Sequence, residues 1–131
     1  MFQATGVQNF HAVDGDVVIF PNVDYNHGSG YNVTTGKFTA PVSGLYAFVK
    51  QICVYNGKFA FTQFVRNDKN ILASEVAAPT FQHSCASSQV FQYLSKNDQV
   101  WVKSTHENYF NDFTQARDMA FAGVFIHMWR E

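Results

Sequence analysis

The stretch Tyr31-Asn-Val-Thr-Thr-Gly-Lys-Phe-Thr-Ala-Pro-Val-Ser-Gly-Leu-Tyr-Ala-Phe48 decides the fold. Gly36 and Gly44 are free to take positive φ, and Pro41 cannot donate to a strand ladder. A strand over Lys37–Ala40 must therefore stop near Pro41, turn through Val42-Ser43-Gly44, and restart at Leu45. The aromatics Tyr31, Phe38, Tyr46 and Phe48 surround those marks.

Working outward, the same alternation of short strand-like runs and turn signals fills the chain. The turns are marked by Asp14-Gly15, Pro21-Asn22, Asn26 to Gly30, Asn56-Gly57, Asn67-Asp68, Pro79, Asn97-Asp98 and Asn111-Asp112. Strands are predicted at Gln3–Asn9, Val17–Phe20, Lys37–Ala40, Leu45–Val54, Lys58–Arg66, Ile71–Ala77, Ser84–Leu94, Gln99–Ser104 and Met119–Trp129. Asn56-Gly57 reads as a hairpin turn between two of them. Only Ile71–Ala78 has a helix-friendly composition, and it is short. The pattern is that of an all-β sandwich or barrel.

Composition agrees. The chain has 131 residues, enough for one domain (1–131) around one core. Apolar residues make up 47%, and 14 are Phe, which favours strands. A net charge of −1 gives no basic footprint for nucleic acid or an anionic membrane. No apolar run approaches the roughly 20 residues of a membrane-spanning helix, so membrane insertion is not expected. The first residues lack the basic start and apolar core of a signal peptide. Cys53 and Cys85 allow one intrachain pair, read either as two buried thiols or as a staple.

Two strands break the apolar-polar alternation of a half-buried sheet. Ala120-Phe-Ala-Gly-Val-Phe-Ile-His-Met-Trp129 and Leu45-Tyr-Ala-Phe-Val49 are apolar at nearly every position. One face of each meets the core. The other needs separate cover, which predicts subunit contact.

These residues resemble the complement C1q-like globular head domain, a relative of the tumour necrosis factor fold. The family pattern is met at Tyr31, Thr35, Gly36, Phe38, Pro41, Gly44, Tyr46 and Phe48. Val65-Arg-Asn67, the run from Val90 to Val102, and Phe121-Ala-Gly-Val-Phe125 match its later strands. The resemblance implies a ten-strand jelly-roll β-sandwich and a secreted homotrimer, with Tyr46, Phe48, Phe121, Phe125 and His127 at subunit contacts. It also implies a Cys53–Cys85 disulfide between neighbouring strands. The chain departs from the family at Asn67-Asp68 and Asn97-Asp98, where the usual turns carry glycine; Asn tolerates the left-handed conformation. These 131 residues hold no collagen repeat, so nothing is inferred about stalk-borne assembly.

Catalytic patterns are weak. His11, His27, His83, His106 and His127 have no zinc-ligand spacing, and Ser87-Ser88 lacks a nucleophile elbow. No enzyme and no required cofactor are expected. Calcium binds some domains of this family, which makes Asp14, Asp16 and Asp24 weak metal candidates, although turn chemistry explains Asp14 and Asp16 better. Asn32-Val-Thr34 is a glycosylation sequence whose first reading is structural, because it overlaps the family turn. The loop from His106 to Arg117 is the strongest binding candidate, because sugar sites join an aromatic platform to amide and carboxylate partners. The expected glycan contacts are Asn108, Tyr109, Asn111, Asp112 and Arg117, with Tyr55, Asn56 and Lys58 at a second loop. The function expected is a trimeric lectin-like domain of innate immunity binding microbial glycans. The alternatives are a cytokine-like or structural protein-binding module and a calcium- or metal-binding extracellular protein.

Overall fold

The computed structural model describes residues 1–54, 58–77, 84–110 and 119–128, with the backbone alone at 74–77. Twelve strands are formed among them: β1 (Phe2–Thr5), β2 (His11–Ala12), β3 (Asn22–Asn26), β4 (Tyr31–Asn32), β5 (Lys37–Thr39), β6 (Gly44–Val54), β7 (Phe59–Arg66), β8 (Lys69–Ala77), β9 (Ser84–Leu94), β10 (Gln99–Ser104), β11 (Asn108–Tyr109) and β12 (Ala120–Met128). Ten of them build two five-stranded antiparallel sheets, in the orders β3-β1-β12-β6-β9 and β4-β5-β10-β7-β8. β11 and β2 form a small separate ribbon. The fold is therefore the expected all-β jelly roll.

The opening stretch behaves largely as read. Gly36 sits at φ 75° in the turn between β4 and β5. The Tyr31 hydroxyl is buried, accepts from Phe20 N at 3.1 Å and donates to Phe20 O at 2.9 Å. Burial pushes that phenol up to about 12. The Tyr46 hydroxyl donates to Val42 O at 2.7 Å and ties down the corner after Pro41. Gly44 corrects the reading of its φ. It begins β6 in an extended conformation, and a Cβ there would collide with the Phe125 ring. Close approach of a neighbouring strand requires this glycine, not a left-handed turn.

Aromatic side chains from both sheets fill the core. The Phe2 ring lies 5.1 Å from Tyr31, 5.0 Å from Phe38 and 4.9 Å from Phe121. Gly123 makes room for this cluster, since a Cβ there would stand 2.6 Å from Phe2 and 2.9 Å from Phe48. One charged side chain shares the interior. Lys50 is fully buried; its Nζ donates to Thr62 Oγ1 at 3.0 Å and lies 4.8 Å from the centre of the Phe64 ring. Among the described residues no carboxylate pairs with it. Loss of hydration pulls its amine down from 10.5 to about 7.

Cys53 and Cys85 are directly opposite one another on β6 and β9 and are joined by a disulfide. Other expectations need correction. Val17–Phe20 forms no strand; Val17 makes an isolated bridge to Lys103. Asn56-Gly57 lies outside the described residues, and the strands on either side of it belong to different sheets, so no hairpin joins them. The tight hairpin is Asn67-Asp68, with φ of 46° and 70°, between β7 and β8. Ile71–Ala77 is a strand as expected, within β8, despite its helix-friendly composition.

Candidate functional site

One end of the sandwich gathers an exposed cluster of aromatic and ionisable side chains. β7 begins there with Phe59, which is 57% exposed and whose ring stacks near-parallel to Phe61. Phe61 in turn packs against the His106 ring at 4.4 Å between centres. β11 brings Tyr109 alongside, and β2 lays the His11 ring flat on it at 4.6 Å. Glu107 joins the two. It accepts from the Tyr109 hydroxyl at 2.8 Å, and its other oxygen lies 3.6 Å from His11 Nε2. That carboxylate, holding the phenol's proton, pushes Tyr109 up from its ordinary value. Lys58 Nζ sits 5.0 Å from the centre of the Tyr109 ring.

Asn108 holds this cluster together from below. Its Oδ1 accepts from Phe61 N at 2.9 Å, and its Nδ2 donates to Phe61 O at 2.9 Å and Ser104 Oγ at 2.6 Å. Ser104 Oγ then donates to His106 O at 2.7 Å. Asn108 is fully buried with its amide saturated, which corrects its assignment as a glycan contact. It positions β11 against β7. The sequence placed Tyr109 as a platform, yet His11 already covers one face of its ring. Phe59 offers the more open face. Its signal was an aromatic next to Lys58 at a loop end, and in the sequence it reads only as part of the strand Lys58–Arg66.

Lys58 and Tyr109, expected in two separate loops, are brought together here. Tyr55, Asn56, Asn111, Asp112 and Arg117 lie outside the described residues. Asp16 accepts from Val13 N at 2.9 Å in a turn, while Asp24, on β3, accepts from Gln3 of β1. Among the described residues no three His, Cys, Asp or Glu side chains converge to hold a metal.

The outer face of the β3-β1-β12-β6-β9 sheet is a second surface. Its register sets Val124, Ala47 and Phe91 in one row across β12, β6 and β9, and His127, Leu45 and Tyr93 in another. Val49, Phe91, Tyr93, Val124 and Ile126 are all exposed. A depression of about 80 Å³ opens between Met1, Tyr25, Val49 and Val124. The doubly apolar strands are thus explained, but the outward residues differ from those expected. Tyr46, Phe48 and Phe121 point inward and are buried, and Phe125 packs edge-on against Tyr46 at 5.2 Å. A bulge between Phe125 and His127 turns His127 outward, where its ring meets Tyr93.

The two five-stranded sheets define a jelly-roll domain. The model of the C1q domain family matches residues 1–126, and the chain belongs to that family. It is 30% identical over 109 residues to mouse complement C1q and tumor necrosis factor-related protein 9, covering 82% of this chain and 32% of that protein. It is 31% identical over 87 residues to the heavy metal-binding protein HIP of Mytilus edulis, covering 66% of this chain and 41% of that one. The chain thus spans about a third to two fifths of these relatives' length. Among solved structures, the globular domain of zebrafish complement 1qA protein superposes with a TM-score of 0.77 at 17% identity, covering 97% of this chain and 96% of that one. The Eiger TNF of S. frugiperda also gives 0.77, at 12% identity, covering 99% and 94%.

Proposed function

We propose that this domain is a secreted, trimeric, non-enzymatic recognition module that binds glycans through the end cluster. The observation that carries this reading is Phe59, an open aromatic ring stacked on Phe61, which in turn packs on His106; the next residue in sequence, Lys58, reaches over Tyr109 in the group with Glu107 and His11. A sugar's apolar face stacks on such a ring while its hydroxyls bond to the charged and imidazole groups. The apolar sheet face supports self-association, because a patch of that kind is costly to leave in water. Three copies displayed together raise weak single-site binding to useful avidity.

Glycan-array binding tests the site. Phe59→Ala is expected to lower the bound signal at least tenfold, with the fold intact by circular dichroism. Unchanged binding would remove the assignment. A protein-binding module is the second reading, favoured by Phe10, Phe59 and Phe61, which a protein surface would cover equally well. That reading predicts a blank array.

A further inference from the structure

Asn32-Val33-Thr34 was left with a structural role by the sequence, and the structure separates that role from a second one. Asn32 closes β4, the outermost strand of its sheet, opposite Lys37. Asn32, Val33 and Thr34 are all exposed. The turn uses only the side-chain oxygen: Oδ1 accepts from Thr34 N at 2.8 Å and from Thr35 N at 3.3 Å. Nδ2 donates to none of the described residues, and the residue is exposed. Modification at Nδ2 keeps the carbonyl, so the turn survives it.

The Cys53–Cys85 disulfide adds an independent observation. A bridge between opposed strands belongs to an oxidising, secretory environment, where Asn-x-Thr sequences are read. We propose that Asn32 carries an N-linked oligosaccharide. In this transfer Nδ2 bonds to the anomeric carbon of a lipid-pyrophosphate-linked oligosaccharide. The bond from that carbon to the pyrophosphate oxygen breaks, the lipid pyrophosphate leaves, and Nδ2 gives up one proton. The glycan stands on the sheet that lacks the apolar face. It lies level with Val65 of β7, roughly 20 Å along that strand from Phe59. It therefore leaves both the self-association surface and the end cluster uncovered, and it shields an open sheet edge.

The inference rests on the extracellular reading, and one experiment separates the two. The chain is secreted from cultured eukaryotic cells, its thiols are counted, and its mass is read before and after peptide N-glycosidase. A mass loss on treatment, with Asn32 converted to Asp, is expected. Thr34→Ala, which keeps both backbone bonds to Asn32, is expected to abolish it. A bridged, secreted chain without sugar at Asn32 overturns this inference alone. Two free thiols with no sugar overturn the extracellular reading and this one with it.

Discussion

Replacing Lys50 with Met should make the protein more stable. The lysine is fully buried, and among the described residues its one hydrogen bond goes to Thr62 Oγ1. Its amine falls from 10.5 in the open chain to about 7 in the fold. Between those values the unfolded chain binds more protons than the folded one, so stability rises with pH. The favourable contribution is complete above about pH 10.5 and has drained away by about pH 7. At pH 7 the linkage amounts to on the order of 4 kcal/mol. Met fills a similar volume without charge and loses the bond to Thr62, which costs about 1 kcal/mol. The net gain expected at pH 7 is about 3 kcal/mol, shrinking to below about 1 kcal/mol at pH 9.5. Urea unfolding at fixed protein concentration measures both. The window must close below pH 10, because the buried phenols of Tyr31 and Tyr46 are raised. Above that pH they ionise first in the unfolded chain and lower stability. A Met variant weaker than wild type at pH 7, or a wild-type stability flat from pH 7 to 9.5, would refute the reasoning.

Asn108→Ala removes three hydrogen bonds and takes the acceptor from Phe61 N, while Phe61 O keeps Thr105 N, so a loss of about 3 kcal/mol is expected by urea unfolding. Tyr109 and His11 should lose protection with it, visible as faster amide hydrogen exchange in β2 and β11. Cys53→Ser with Cys85→Ser opens a loop spanning 32 positions and should cost about 4 kcal/mol on the chain-entropy model. Reduction of the native protein should lower its melting temperature to match.

The sheets were legible in the sequence because Pro41, Gly36 and the Asn67-Asp68 turn are local signals with fixed backbone consequences. The strands missed were those lacking such signals. Asn22–Asn26 is almost wholly exposed and held on one side by β1, so its polar composition reads as a loop. β2, β4 and β11 are two residues each and exist through tertiary pairing. The site was half legible. A loop rich in aromatic and amide residues pointed to Tyr109, but residue type does not tell a buried amide from an exposed one. Asn108 and Tyr109 are neighbours in sequence, and strand alternation sends one inward and the other out. The same alternation explains why Tyr46, Phe48 and Phe121 serve the core while Ala47, Val49 and Val124 serve the surface.

β12 lies between β1 and β6, so the last of the twelve described strands is a central strand of its sheet. Phe2 pairs with Gly123 and Phe48 pairs with Gly123 from the other side. The sheet therefore cannot be completed before Ala120–Met128 is available. β1 and β6 emerge early and wait with open edges and apolar faces until Ala120–Met128 is released. Folding of the domain is gated by this strand, and its exposure to misassociation is greatest in that interval.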